Sequence, residues 1–106
     1  MGRFYAEKFA ALLTALKGID DGEGKTALYN SSVILGMECW SDSSSGHYLR
    51  DIPFIFAGQG AGKFTTGRIV NANGRNNNDL LISVQNASGI ASNVYGLESL
   101  CKGPIL

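Results

Sequence analysis

FIFAGQGAGKFTTGR, residues 54–68, is the stretch on which the fold turns. It passes from an apolar, strand-like run into four glycines and a lysine, and then into a polar arm. In outline it is a phosphate-cradling loop, which would make the chain a nucleotide-binding α/β domain. The detail rejects the outline. A phosphate loop needs a glycine, four residues, and then Gly-Lys followed by Ser or Thr, whose hydroxyl holds magnesium. Gly62 and Lys63 supply the central pair, but Ala57 stands at the first glycine's place and Phe64 at the hydroxyl's. The residues after Lys63 have an extended pattern, whereas phosphate binding needs a helix N-terminus facing the anion. Against the G-x-G-x-x-G pattern, Gly58 and Gly60 fit and Lys63 falls where the third glycine belongs. No nucleotide site is expected, and the glycines read as a turn ending a buried strand.

Working outward, IPFIFAG is that strand, with Pro53 tolerable only near its start. Upstream, SSVILGME, residues 31–38, reads as a second strand, because Val33, Ile34 and Leu35 run together as in strands covered on both faces. Between them lies a loop with a serine tract, residues 39–51. Downstream, KFTTGRIV is either a short strand pair or an extended arm, and NANGRNNND is a loop by composition. DLLISVQNASGI is expected to be a helix capped by Asn78, with Asp79 in its first turn and Gly89 ending it. The apolar run Leu80, Leu81, Ile82 and Val84 leaves a strand as the alternative there. The tail from Val94 is irregular, with room for a turn of helix. At the other end, Tyr5, Phe9, Leu12, Leu13 and Leu16 recur at helical spacing within residues 3–17, and Gly18 follows as a stop. IDDGEGKT is a polar turn.

The order helix, strand, loop, strand, arm, helix predicts an α/β fold: a small, incomplete mixed sheet with an N-terminal helix and a later helix. At 106 residues the chain is one domain or part of one. A chain of this size buries roughly 65% of its unfolded surface, enough for one modest core. A two-strand sheet leaves edges that something must cover, which points to a missing partner or to self-association as a homo-oligomer. Zero net charge and the absence of a basic patch argue against nucleic acid. No apolar run is long enough for a membrane span. The start, MGRFYAEKF, lacks the layout of an export signal, and localisation stays open. Cys39 and Cys101 have no Cys-x-x-Cys spacing and read as two buried thiols, with a disulfide as the alternative.

Taken together, LYNSSVILGMECW, SSSGHYLRDIPFIFAGQGAGKFTTGR, NNNDLLISVQNASGI and VYGL resemble the C-terminal part of the bacterial HXXSHH family of unknown function. That family shows a strand ending in Gly-x-Glu, a polar loop with a histidine, a strand opening on Asp-Leu-Pro, a glycine-rich turn and an arm ending in Gly-Arg. These features fall on Gly36 and Glu38, on His47, on Asp51, Ile52 and Pro53, on the glycine stretch, and on Thr66, Gly67 and Arg68. The sequence departs from the family at Ser43, Ser44 and Ser45, at Cys39 and Trp40 after the glutamate, and in having a single histidine. The family is similar to proteins of the alkaline-phosphatase and sulfatase fold, which hold metal at the C-terminal ends of their strands. The resemblance implies that residues 1–106 form the C-terminal part of a larger domain, hydrolase-like and inactive alone. It also implies full-length relatives that are exported. The alternative is a small, non-enzymatic α/β interaction module that self-associates.

The candidate site follows from both lines. Glu38 sits at the end of a strand, where α/β folds bind ligands, and His47 follows across the loop. A carboxylate and a neutral imidazole suit a divalent metal such as zinc, manganese or iron, with Asp42 and Asp51 close enough in sequence to assist. The bland alternative is an exposed histidine and a carboxylate that accepts backbone hydrogen bonds. Arg68 is a candidate anion-binding residue, with pairing to Asp51 or Glu38 as the alternative. Ser44 or Ser45 beside His47 lacks the G-x-S-x-G elbow of a hydrolase nucleophile. Trp40 and Tyr48 flank the loop, as pocket walls or as core.

Overall fold

The structure, a computed structural model, describes residues 2–39, 46, 47 and 49–106. The α/β architecture is present, with an N-terminal helix, a later helix and a small two-strand sheet. Helix α1, Arg3–Lys17, ends at Gly18 as expected, with Lys17 in the last turn where a cation complements the helix dipole. Gly18 keeps a right-handed conformation at φ −80° and donates its amide back to Thr14 and Ala15. The polar turn that follows is closed by two bonds, from the Asp21 amide to the Lys25 carbonyl and from the Lys25 amide to the Gly22 carbonyl, each at 2.9 Å. Thr26 then caps a short helix absent from the sequence reading, α2, Ala27–Asn30, by accepting from the Tyr29 amide at 3.2 Å.

Strands β1, Val33–Gly36, and β2, Phe54–Ala57, pair antiparallel, with Val33 opposite Ala57 and Gly36 opposite Phe54. Both are shorter than the stretches read as strands, residues 31–38 and 52–58. The expected cover on both faces is not there: Phe54 is 38% exposed and Ile55 45%. Beyond β2 the chain turns through the glycines and buries Phe64, whose ring meets Phe56 edge-on with centroids 4.6 Å apart. The arm after Phe64 contains no strand among the described residues, and Ile69 is fully exposed, so the extended-arm alternative holds.

Helix α3, Asn77–Ala87, replaces the strand alternative for the Leu-Leu-Ile run. Its N-cap residue is Asn76, not Asn78, a correction to the sequence reading. Neither asparagine caps with its side chain. Asn76 Nδ2 donates to the Leu100 carbonyl at 2.7 Å and Asn78 Nδ2 to the Tyr95 carbonyl at 2.6 Å, so both side chains are drawn to the tail. Gly89 ends the helix as expected: at φ +88° it lets its own amide reach Asn86 and the Ile90 amide reach Gln85, the paired bonds of a Schellman stop. The tail lies along α3 and carries one 3-10 turn, Glu98–Leu100.

The apolar core is thin. Among the described residues only Phe64, Leu80 and Ile82 are buried hydrophobics, and α1 buries none. The chain exposes 7490 Å², where a compact monomer of its mass would expose about 5,700 Å². Its extents of 49 × 35 × 21 Å show the same open build. Among the described residues no helix is long and apolar enough to cross a membrane.

Candidate functional site

The glycine turn is a clasp on α2, and its geometry counts against an anion site. Gly58, Gly60 and Gly62 all have positive φ, and so does Ala61 between them, at 56°. Backbone in this state often forms a concavity of free amides that binds phosphate. Here five of the turn's amides are spent. Gln59 and Ala61 donate to the Tyr29 carbonyl, Gly60 to the Ser31 carbonyl, Lys63 to Gly60 and Phe64 to Gln59. A Cβ on Gly58 would run into the Ser31 carbonyl oxygen, so the turn can approach α2 this closely only with glycine there. The missing hydroxyl at Phe64 and the spent amides point the same way.

The antiparallel register decides where the candidate metal residues sit. Because Gly36 faces Phe54, residues 37–53 form one connection at a single end of the hairpin. Glu38 leaves β1 at a bend, His47 lies mid-connection, and Asp51 comes three residues before β2; all three are exposed. Asp51 takes a left-handed backbone at φ +54°, uncommon for a residue with a Cβ. Asp42, Ser44, Ser45, Trp40 and Tyr48 lie outside the described residues. Among the described residues no three His, Cys, Asp or Glu side chains gather as a metal would require.

Arg68 stands apart from that connection. Its Nε donates to the Thr65 carbonyl at 3.1 Å, so it braces its own turn, and no pair with Asp51 or Glu38 forms among the described residues. Cys39 and Cys101 are free and half-buried, so the disulfide alternative is not realised. Cys101 Sγ accepts from the Tyr95 amide at 3.4 Å, within the tail itself.

The densest polar cluster was not singled out from sequence. Asp79 and Ser83, one turn apart on α3, are both buried. Asp79 Oδ2 accepts from Arg75 Nε and Oδ1 from the Lys102 amide, each at 2.7 Å. Arg75 also donates Nη2 to the Gly103 carbonyl at 2.6 Å, and Lys102 Nζ donates to the Gly74 carbonyl at 2.7 Å. Ser83 Oγ donates to the Asp79 carbonyl and accepts from the amides of Ile105 and Leu106. Burial pushes the Asp79 carboxyl pKa up, but the Lys102 amide and then the bond and charge of Arg75 outweigh it, leaving the pKa below its ordinary value. Among the described residues no buried side-chain donor or acceptor lacks a partner. The Ser83 hydroxyl has its proton and both lone pairs engaged, and each Asp79 oxygen is held by a partner, so the cluster fastens the tail to α3. The signal in the sequence was Asp79 and Ser83 sitting at i and i+4 among the apolar residues of a helix, where a polar pair needs buried partners.

Comparison of the chain with protein-family models, with characterised proteins and with solved structures gave no match.

Proposed function

We propose that this chain is the C-terminal segment of an HXXSHH-type, hydrolase-like protein of the phosphatase and sulfatase class, and that alone it is inactive as a hydrolase. The observation that carries the reading is the agreement between the order of the family-like motifs and the hairpin. The motif residues Glu38, His47 and Asp51 share the one connection at the end of the β1–β2 pair, and strand ends are where α/β folds bind ligands. In this reading Glu38 and His47 supply part of a divalent metal site for zinc, manganese or iron. The remaining ligands come from the preceding half of the protein, since such sites use about four. Arg68 then serves the substrate's anionic group. The thin core supports the same reading, because the exposed faces of α1 and the hairpin are those the other half would cover. No nucleic-acid partner is proposed, the net charge being zero.

The reading frame upstream of Met1 tests this. An in-frame continuation encoding a histidine-rich half is expected; a ribosome-binding site with a stop codon directly ahead of Met1 would sink the segment reading. Elemental analysis of the longer protein then tests the ligands. His47→Ala and Glu38→Ala should each lower bound metal, and undiminished metal in both removes these residues from the site.

A second reading, a non-enzymatic α/β module that self-associates, is favoured by the exposed Phe54 and Ile55 on a two-strand sheet whose outer edges have no strand neighbour among the described residues. Light scattering decides it: a strict monomer at high concentration counts against it.

A further inference from the structure

Two places in this chain carry an Asx-Gly pair, the arrangement in which a backbone amide nitrogen can attack the preceding side-chain carbonyl: Asp21-Gly22 and Asn73-Gly74. The structure separates them. At the first, the Gly22 amide donates to Asp20 Oδ1 at 3.0 Å, and Asp21 Oδ2 accepts from Asn30 Nδ2 at 2.8 Å, so both reacting groups are engaged. A carboxylate is moreover a poor electrophile. At the second, Asn73 and Gly74 are exposed at the tip of a four-residue turn closed by one bond, from the Arg75 amide to the Ala72 carbonyl at 2.9 Å. Among the described residues the Gly74 amide donates to no acceptor, and the Asn73 side-chain amide makes no bond. Glycine adds no Cβ to obstruct the attack, and nothing lies within 4 Å of where one would stand on Gly74.

We infer that Asn73 is a site of spontaneous covalent modification in the native protein, deamidating through its own backbone. The Gly74 nitrogen, after losing its proton to water or hydroxide, attacks Asn73 Cγ. A C–N bond forms, the side-chain amide leaves as ammonia, and a five-membered succinimide results. Water then opens the ring, at the side-chain carbonyl to give aspartate or at the main-chain carbonyl to give isoaspartate. No oxidant, reductant or enzyme enters the balance. Either product places a new carboxylate two residues from Arg75, and the isoaspartate lengthens the main chain by one methylene directly before Gly74, whose carbonyl holds Lys102 Nζ.

The test incubates the intact chain beside a synthetic peptide of residues 69–75 at mildly alkaline pH, followed by tryptic mapping, since Arg68 and Arg75 release that same segment. The segment should gain the mass difference between an amide and an acid and split into two chromatographic forms. Its rate should fall within about tenfold of the free peptide's, the slowing of a turn that opens locally and not with the whole fold. An unmodified segment at the time when half the free peptide has converted overturns the inference. Asn73→Gln should abolish the gain in the intact chain, and a gain that persists in that variant would assign it to Asn71 and overturn the site.

Discussion

Arg75 Nε donates to Asp79 Oδ2 across 2.7 Å, with the carboxylate fully buried and the arginine side chain 28% exposed. The pair forms one turn ahead of and within the start of α3, and the same guanidinium reaches the Gly103 carbonyl on the tail. Helix, preceding turn and tail thus meet at one side chain. Arg75→Ala would leave the buried carboxylate with the Lys102 amide as its remaining tail partner. The loss should be about 3 kcal/mol in urea unfolding, at the low end for a broken buried pair because Arg75 keeps some of its water. A loss indistinguishable from zero would mean the tail is not held here.

The same carboxylate sets an acid limit. A group whose pKa is depressed by folding stabilises the folded state above its ordinary value and loses that contribution as pH falls towards the folded value. For Asp79 the loss begins as pH drops through 3.8 and is absent at neutral pH. Unfolding free energies measured against pH should therefore differ between wild type and Asp79→Asn by a constant at neutral pH and converge in acid. Parallel curves down to the lowest pH would show that Asp79 does not titrate with folding.

Ser83 offers a more local probe. Its hydroxyl accepts from Ile105 and Leu106 at 2.8 and 3.1 Å, so Ser83→Ala strips both amides of their partner. The cost should be about 1–3 kcal/mol, the range for buried polar groups left unsatisfied. Hydrogen exchange should speed at Ile105 and Leu106 while the amides of α1 are unchanged. Equal acceleration throughout the chain would indicate global destabilisation in place of a released tail.

Two glycines with similar backbone angles should respond differently to alanine. Gly58, at φ +84°, would press its Cβ into the Ser31 carbonyl, whereas Gly67, at φ +75°, has open space around it. Gly67→Ala should cost about 1 kcal/mol, the backbone strain alone. Gly58→Ala should exceed it by at least about 1–2 kcal/mol, because backbone on both sides must shift. Chemical denaturation of the two variants compares them directly, and equal losses would mean that the clasp on α2 gives way freely.

How far the sequence carried is best seen element by element. Helix α1 was legible because its apolar residues repeat at helical spacing, and its end because glycine followed. Gly89 was legible for the same reason of backbone geometry. The hairpin was legible as two strands, but the runs around Val33 and Phe54 also suggested cover on both faces, since a single sequence shows how apolar a strand is and not what lies against it. Asn78 was misread as the helix cap and Asn76 was read only as loop, because their side-chain partners, Tyr95 and Leu100, are 17 and 24 residues away. Helix α2 is four residues long, too short for periodicity to register, and only Thr26 marked it. Glu38, His47 and Arg68 were chosen as residue types at strand ends and on the arm; the hairpin explains why the first two share a connection and why Arg68 does not join them.

The tail's attachments have an evolutionary corollary. Arg75, Asn76, Asn78, Asp79 and Ser83 take hold of its main-chain carbonyls and amides, while Val94, Tyr95, Leu97 and Leu100 remain more than a third exposed. What α3 reads is therefore spacing and not spelling. Residues in this strip can drift in identity at little cost, but inserting or deleting a single one would put every later atom out of step with its holder.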